Sequence, residues 1–418
     1  MRCKAVLLVL LFGLQALSGC ISNNEIEEPV LAEPEIPNLE HKSELIIPNS
    51  RESIIGEFLP ENLDEKQKIV LEDLIIKNRN RIGINHTVPN EGGNWTQYFV
   101  CSDGNKITYE FPMPNEFKCP SSEEVLLGER YESSWVAYRH QELIRDIALS
   151  SAISYYLTSN EQDSQIAKHI LLQYAEFYSS LKIKDRFGVE GDFGGRLTRQ
   201  SLDEAVLLID IAWIHYLIKP SLSFEQDSII SSNLILPMIE VLYTTSNQNR
   251  EGISNWFAFH NAAIALAGVS TDNISLVYQS LNQENGFYFQ LENGFDDDGF
   301  WHEGSIAYHN YTLTAMALNI EAANYFGIQI DNYSWNTSNG EQMDISKPFI
   351  THLSLVKPNG DFPRLNDDIL GTNLSTILDL LEFANRYWSK WVPANQLTQA
   401  REMTGYISLR SALWMTTI

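Results

Sequence analysis

The chain has 418 residues, of which 44% are hydrophobic and 11% aromatic, enough to bury a sizeable core. This composition excludes a disordered, collagen-like or polytopic membrane protein, and the length predicts two or three domains of ~100–200 residues each. The chain has 29 lysines and arginines against 54 aspartates and glutamates, a formal net charge of −25. That charge argues against a nucleic-acid partner. An acidic ligand would require a locally positive or hydrogen-bonding site.

The first twenty residues resemble a bacterial lipoprotein signal. Arg2 and Lys4 form a basic start, residues 5–17 are almost entirely apolar, and Leu-Ser-Gly-Cys occupies 17–20. Thirteen residues are too few for a bilayer span, which needs ~20. We expect a signal peptide over residues 1–19 and lipidation of Cys20, which would attach the protein to the bacterial cell envelope, at the periplasmic face or the outer-membrane surface. An ordinary signal peptide or an uncleaved anchor is the alternative.

The next stretch has the composition of a solvated tether. Residues 21–60 contain five prolines and nine glutamates against one lysine and one arginine. Like charges repel and too little apolar surface is available for a core, so an extended acidic linker is predicted over residues 20–60.

Hydrophobic periodicity predicts a mainly α-helical domain over residues 61–395. Apolar residues recur at three- and four-residue steps, and Gly, Asn and Asp clusters separate the segments. The predicted helices span residues 62–78, 140–158, 162–181, 202–218, 224–243, 255–268, 274–290, 305–326, 345–355 and 374–388. Helices of similar length joined by short loops are typical of a barrel or solenoid of helical hairpins. Residues 100–111 suggest a short hairpin, and residues 406–411 resemble a strand.

Two cysteines remain after Cys3 and Cys20 are set aside. Cys101 and Cys119 lie in one Gly-, Asn- and Pro-rich segment. In an oxidising compartment they would form a disulfide. A metal site is the alternative, although two thiols without nearby histidine fall short of the usual four ligands.

A glycine pair at 194–195 leads into a predicted helix that carries Arg196 and Gln200. Arginine suits bidentate binding of a carboxylate, and glutamine can bind a hydroxyl group. Helix capping with an internal salt bridge is the alternative role for this cluster.

The sequence at 254–263 places Asn255 and His260 at the start of an apolar helix, beside Trp256. Amides that fix hydroxyl or carboxylate groups next to an aromatic face are typical of a sugar site. An asparagine at a helix start is also a common cap, and a histidine on an apolar helix is often a core residue.

Residues 296–311 hold the densest set of catalytic residue types, in a loop that enters a helix. Loops of this kind commonly display functional groups, so this segment is the main candidate for chemistry. Some of its residues have structural explanations: Asp298 and Gly299 suit a turn, and Ser305 suits an N-cap.

Five motifs in this order resemble those of the alginate lyase and heparinase II/III-like superfamily of polysaccharide lyases. They are NWTQYFVC at 94–101, WVAYRHQEL at 135–143, GRL at 195–197 with SLDEA at 201–205, NW at 255–256 with HNAA at 260–263, and DGFWHEGSIAYH at 298–309. The resemblance runs from about residue 94 to residue 410. It implies an incomplete (α/α) toroid of helical hairpins followed by an antiparallel β-sandwich. It also implies β-elimination on uronic-acid polysaccharides, alginate or glycosaminoglycan-like.

The resemblance also implies roles for individual residues. Mapped by motif, Tyr308 is the acid and base, Asn255 neutralises the substrate carboxylate, and His260 assists them. The implied substrate-binding residues are Arg196, Gln200, Trp256, Trp301 and His309. Glu303 is expected to have a structural or supporting role. The partner would be an acidic polysaccharide or oligosaccharide, and no cofactor or metal is expected.

The sequence departs from its relatives in two places. Relatives carry Cys-Pro-x-Cys-Gly where Cys119 is followed here by Pro, Ser, Ser122 and Glu. A Cys101–Cys119 disulfide is therefore favoured over a zinc knuckle. The relatives' β-sandwich is long and supplies a further histidine, whereas the last histidine here is His352. Residues 396–418 are therefore predicted to be a stub that keeps only the first strand, residues 406–410.

Two other functions remain open. A catalytically inactive or truncated glycan-binding lipoprotein would bind its ligand without turnover. A glycoside hydrolase on an (α/α) toroid would use Asp297 or Asp298 with Glu303 as its acid and base pair.

Overall fold

The computed structural model describes residues 86–191, 194–246, 252–366 and 371–404, together with scattered helical positions between 65 and 80. The signal peptide, Cys20, the whole of the predicted linker and the predicted strand at 406–410 lie outside the described residues.

The described chain is mainly helical. The α-helices are α1 (Glu129–Gln141), α2 (Ser150–Thr158), α3 (Glu161–Phe177), α4 (Ser201–Ile218), α5 (Phe224–Ile230), α6 (Leu236–Ser246), α7 (Asn255–Ser270), α8 (Ile274–Asn282), α9 (Phe287–Gly294), α10 (Ile306–Tyr325), α11 (Ser346–Thr351), α12 (Leu378–Trp388) and α13 (Ala394–Met403). π-Helical segments join α1 to α2 (Glu142–Leu149) and α5 to α6 (Ser231–Ile235). Short 3₁₀ turns occupy Thr96–Tyr98, Tyr178–Ser180, Lys219–Ser221, His352–Leu355, Leu374–Ile377 and Ser389–Trp391.

Strands are few and short in the described part. β1 (Phe117–Lys118) pairs antiparallel with β2 (Val125–Leu126), with Phe117 opposite Leu126. β3 (Ser334–Asn336) pairs antiparallel with β4 (Gln342–Asp344), with Trp335 opposite Met343. The hairpin predicted at 100–111 is reduced to a single bridge between Val100 and Lys106.

Most of the predicted helices are present, and two differ in extent. The helix predicted from residue 140 begins at Glu129, because the π-helical segment continues α1 into α2 without a break. The helix predicted over 274–290 is divided into α8 and α9. At the break, a Cβ on Gly286 would lie 2.8 Å from the carbonyl oxygen of Leu281, so the chain turns closely there.

Three long helices, α4, α7 and α10, form the centre of the fold. α7 packs against both neighbours and is buried almost all round. Many of its side chains are small: alanine occupies 258, 262, 263, 265 and 267. A helix that is apolar on every side must be surrounded by protein, and small residues let its neighbours approach closely. This packing produces one large hydrophobic core.

A second, smaller cluster holds the segment before α1. It contains Phe99, Ile107, Phe117, Leu126 and Trp135. Cys101 and Cys119 are disulfide-bonded here, with 5.8 Å between their Cα atoms. The bond ties the loop at 102–118 to this cluster, so the two thiols are not available as metal ligands.

The described chain ends on a helix. α13 packs on α12, and the guanidinium of Arg401 binds the carboxylate of buried Glu382 through Nε at 2.6 Å and Nη2 at 2.8 Å. Residues 396–403 are therefore helical and belong to the helical domain. The predicted boundary at 396 falls inside α13. Within the described ranges, no helix combines the length and apolarity that a bilayer span requires.

Candidate active site

The N-terminal ends of α4, α7 and α10 lie on one face of the domain. At the opposite end, Lys219 after α4 donates to the carbonyl of Ser270 in α7 at 3.1 Å and pairs with Asp272. The hydroxyl of Tyr325 in α10 donates to the same Asp272 at 3.4 Å. Because the C-terminal ends meet there, the three helices run in the same direction, and the loops that precede them share the other face. The predicted site residues lie on this face.

Asn255 is the first residue of α7 and is not its cap. Ser254 is the N-cap: its Oγ accepts from the backbone N–H of Trp256 at 3.2 Å. The backbone N–H of Ser254 donates to Gln290 at 2.9 Å, which fixes the entry into the helix. With the capping role filled, the side chain of Asn255 is free for another partner.

The partner of Asn255 is Glu303, in the loop before α10. Nδ2 of Asn255 donates to Oε2 of Glu303 at 3.0 Å, and Nε1 of Trp301 donates to the same oxygen at 2.6 Å. Asn255 is 4% exposed, and its buried Oδ1 accepts a hydrogen bond from no described residue. A buried polar atom without a partner is costly, and such atoms occur at functional sites.

The other two proposed catalytic residues lie within the first turns of the same helices. His260 is 3% exposed on α7, with its ring edge-on to Phe257 at 6.0 Å. Tyr308 is half-buried on α10 and packs against the large core. The rings of Phe259 and Tyr311 lie 4.3 Å apart and join the two helices at this level. The structure thus brings the N-terminal turns of α7 and α10, with Asn255, His260 and Tyr308, to one face.

Two predicted substrate-binding residues are buried. Trp301 and His309 are each 1% exposed, so direct contact with a substrate is not supported. A Cβ atom at position 294 would clash with the indole ring of Trp301, so only glycine fits there. Nδ1 of His309 accepts from the backbone N–H of Trp301 at 3.1 Å. Both side chains therefore support the loop from inside.

His309 belongs to a pair of buried imidazoles. Its Nε2 lies 3.1 Å from the carbonyl oxygen of Pro348 and 3.2 Å from Nδ1 of His352. Since Nδ1 of His309 accepts from Trp301, Nε2 must carry its proton. Burial lowers the pKa of His352 to about 4 and that of His309 well below its usual value, an effect to which His352 adds. Both rings are neutral at physiological pH.

Trp256 is half-buried, one residue beyond Asn255, and so remains a candidate for contact with a sugar.

Arg196 and Gln200 lie on the α4 side of the face. Nη1 of Arg196 donates to the carbonyl oxygens of Ser179, at 3.0 Å, and Leu181. Arg196 also lines a cavity of about 390 Å³ together with Lys184 and Arg199. Gln200 is half-buried just before α4, and its Oε1 accepts from no described residue. Arg196 therefore holds the chain that follows α3, and its role in substrate binding stays a prediction.

The loop before α4 is held by Glu204, which is fully buried. Its carboxylate accepts from the hydroxyl of Tyr178 at 2.7 Å and from the backbone N–H groups of Leu197 and Thr198, each at 3.1 Å. Burial raises the pKa of Glu204, although these donors lower it.

Sequence reasoning missed Arg145. It lies in the π-helical segment, its side chain is 40% exposed, and its Nε donates to Asp210 at 2.7 Å. Tyr311 and Asp203 lie within its electrostatic reach. Burial raises the pKa of Asp203 to about 6, although Arg145 lowers it. The sequence signal for Arg145 was its position just after the motif at 135–143. In the structure it lies in a π-helical segment, and such segments are common near functional sites.

The acids proposed for a hydrolase have other partners. Asp297 accepts from Asn339 and Glu303 accepts from Asn255. Asp298 is held through its backbone carbonyl, which accepts from Thr351 at 2.7 Å. In the part of the chain that the structure describes, no three His, Cys, Asp or Glu side chains cluster as a metal site would require.

Comparison with known proteins gives an independent result. Residues 230–347 match the family model described as alginate lyase, and this range contains Asn255, His260, Glu303 and Tyr308. An exo-oligoalginate lyase of Saccharophagus degradans is 31% identical over 183 residues, which are 42% of this chain and 24% of that protein. An alginate lyase of Stenotrophomonas maltophilia is 29% identical over 175 residues, 41% of this chain and 23% of that protein. The match thus spans about a quarter of each relative's length.

The fold has a counterpart among solved structures. A histidine-to-alanine variant of alginate lyase A1-III, complexed with a tetrasaccharide, superposes with a TM-score of 0.54 at 14% identity. The superposition covers 89% of this chain and 94% of that chain. The fold is therefore shared along nearly the whole of that solved chain. The chain is thus similar to alginate lyases in sequence over the region that holds the candidate site, and to a solved alginate lyase in fold.

Proposed function

We propose that this protein is a polysaccharide lyase that cleaves a uronic-acid polysaccharide by β-elimination, with alginate as the expected substrate. The observation that carries the proposal is the buried Asn255 amide, held by Glu303 on the face where Tyr308 also lies. Alginate is favoured over glycosaminoglycans because the relatives that match this region are named for alginate or oligoalginate.

The chemistry explains why an amide is needed. A base removes the proton at C5, next to the uronate carboxylate, whose negative charge opposes the carbanion that forms. A group that hydrogen-bonds the carboxylate lets that charge spread into an enolate-like state. The C4–O bond then breaks, the leaving oxygen takes a proton, and a double bond remains between C4 and C5. In the proposal, Asn255 binds the carboxylate.

Tyr308 is proposed to move both protons. A tyrosine between C5 and the glycosidic oxygen can take the C5 proton as a phenolate and, now a phenol, donate a proton to the leaving oxygen, provided that both atoms lie on the same side of the sugar. His260 lies one and a half turns beyond Asn255 on α7, so it is proposed to assist at the carboxylate or at the phenol. The half-buried Trp256 is proposed to contact a sugar ring, together with Gln200.

Local cations are proposed to offset the chain's overall negative charge. The cavity beside this face is lined by four cations (Lys182, Lys184, Arg196 and Arg199) and three glutamates (91, 129 and 132), and Arg145 lies near it, paired with Asp210. Cations at the rim of a cleft attract an acidic polymer even when the whole protein is anionic. We further propose, from the pattern that ends at Cys20, that the protein acts while attached to the cell envelope through a lipid.

The test is incubation of the full chain with alginate, heparan sulfate, hyaluronan and chondroitin, followed by the ultraviolet band of the unsaturated product. We expect that band with alginate. New reducing ends without the band would indicate a hydrolase, and saturable binding without either signal would indicate a glycan-binding protein. Each of those results would overturn the proposal.

Tyr308→Phe tests the proposed acid and base. Loss of general acid–base catalysis is expected to reduce kcat by roughly 10²–10⁴-fold, with little change in the thermal midpoint. Tyr278→Phe is the matched control, because Tyr278 is exposed on α8 and lies outside the site. Equal rates for Tyr308→Phe and the wild type would exclude this role for Tyr308.

A further inference from the structure

Glu303 determines which way the Asn255 amide faces. Both partners of Glu303 Oε2, the Nδ2 of Asn255 and the Nε1 of Trp301, are N–H donors. An ionised carboxylate offers acceptors only, so an asparagine can approach it only through Nδ2. The Oδ1 of Asn255 is consequently turned away from Glu303.

Glu303 is itself held in place by a buried side chain. The Trp301 indole packs edge-on against Phe295 at 5.2 Å, and its ring occupies the space over Gly294. Its backbone N–H is bound by His309. On the other side, Nδ2 of Asn366 donates to the carbonyl oxygen of Gly304 at 2.9 Å. The loop is therefore fixed from both sides, and the carboxylate position is not left to an exposed side chain.

The result is an amide with a defined pair of remaining groups. Asn255 keeps its buried Oδ1 and the second N–H of Nδ2, since the first N–H is bound to Glu303. The uronate carboxylate, like that of Glu303, offers acceptors only, so the second N–H of Asn255 is the group that can bind it. A rotated amide would place the acceptor where Glu303 also offers only acceptors, and that arrangement would be repulsive.

We infer that Glu303 is a positioning residue, which fixes the amide of Asn255 so that its second N–H meets the substrate carboxylate, and that Trp301 holds Glu303 in place. This inference rests on the proposed function. A merely structural role for Glu303 would instead appear as lost stability and would not depend on Asn255.

Glu303→Gln separates these roles because it keeps the size of the side chain. The new amide can donate as well as accept, so either face of the Asn255 amide can bind it. We expect kcat to fall by about 10- to 100-fold, the range typical of groups that orient a site residue. KM and the thermal midpoint should change little. Glu284→Gln, at an exposed position on the loop after α8, is the matched control.

A double-mutant cycle with Asn255→Ala tests whether Glu303 acts through Asn255. If it does, Glu303→Gln has no further effect on kcat, or on the Kd of an alginate oligosaccharide, once Asn255 is alanine. An equal loss in both backgrounds would overturn the inference. If the wild type is active and Glu303→Gln has the same kcat, the inference would also be overturned.

A measurement on the protein without substrate distinguishes failure of this inference from failure of the proposed lyase function. With ¹⁵N-asparagine labelling, the Asn255 side-chain amide is assigned by its disappearance in Asn255→Ala. Its resonances should shift, and its protons should exchange faster, in Glu303→Gln than in the Glu284→Gln control. An unchanged amide would overturn the inference even if no polymer were cleaved. Failure of the proposed function is a separate result: no unsaturated product from any polymer with the wild type.

Discussion

Two glutamates hold neighbouring loops on the same face of the domain, and they do so in different ways. Glu204 is fully buried in α4 and binds backbone N–H groups of Leu197 and Thr198. Glu303 is half-buried before α10 and binds the side chains of Asn255 and Trp301. Glu204 therefore fixes the path of the chain, whereas Glu303 fixes the orientation of side chains.

The difference shows how two similar acids can affect different properties. Removal of an acceptor from buried backbone donors raises the free energy of the folded state itself. Removal of an acceptor from a site side chain leaves the backbone in place and changes how that side chain is presented. Substitution of Glu204 should therefore mainly lower the free energy of unfolding, and substitution of Glu303 should mainly lower kcat.

Glu204→Ala should have the largest effect on stability. It would leave two backbone N–H groups and the Tyr178 hydroxyl buried without their acceptor, and each orphaned group costs ~1–3 kcal/mol. We expect roughly 3 kcal/mol or more to be lost from the free energy of unfolding in urea titrations. If Glu204→Ala cost no more than Glu303→Ala, the distinction between the two glutamates would fail.

His352→Asn should change the pH dependence of stability. His352 contacts His309, which supports the loop that carries Glu303. The pKa of His352 is about 4 in the folded protein, below its ordinary value of 6.5. The unfolded chain therefore takes up a proton first as the pH falls from 6.5 to 4, and stability is lost across that window. Asparagine at 352 can still accept from His309 but does not titrate.

We expect urea titrations between pH 6.5 and 4 to show a flatter loss of stability for His352→Asn, by up to about 1.4 kcal/mol per pH unit. Buried acids with raised pKa values, Glu321 at about 7 and Asp203 at about 6, act in the opposite direction. Their contributions are present in both proteins and cancel in the comparison. Parallel pH curves would show that His352 does not titrate on unfolding.

Glu129→Gln should have the smallest effect. Glu129 pairs with Arg199 at 2.7 Å on the α4 side, but its side chain is 78% exposed. Water and salt screen such a pair, so less than about 1 kcal/mol should be lost, and less still at high salt. A loss as large as that of Glu204→Ala would mean that exposure does not separate these acids.

The helices of the core were largely predictable from sequence, because long apolar periodicity specifies them strongly. The segment predicted over 255–268 is α7 (Asn255–Ser270), and that over 202–218 is α4 (Ser201–Ile218). α13 was not predicted as a helix. Only Leu397 and Ala400 are buried in it, so its apolar pattern was too weak to detect.

The sequence identified candidate residues for the site but not the contacts between them. Motif order identified Asn255, His260 and Tyr308 as candidates, and the structure brings the ends of their helices together. The motif at 298–309, which contains Tyr308, also contains Trp301 and His309. Nothing in their residue types indicated that these two side chains are buried. The bond from Glu303 to Asn255 joins residues 48 apart in sequence, a contact that packing of α7 against α10 creates.

The shared direction of α4, α7 and α10 has a consequence for the electric field at the site. Each helix carries the equivalent of roughly +0.5 elementary charge at its N-terminal end, from backbone dipoles alone. With three such ends on one face, the backbone itself adds positive potential there, although the chain as a whole has a net charge of −25. We expect this potential to favour the approach of an anionic ligand at that end of the helical core.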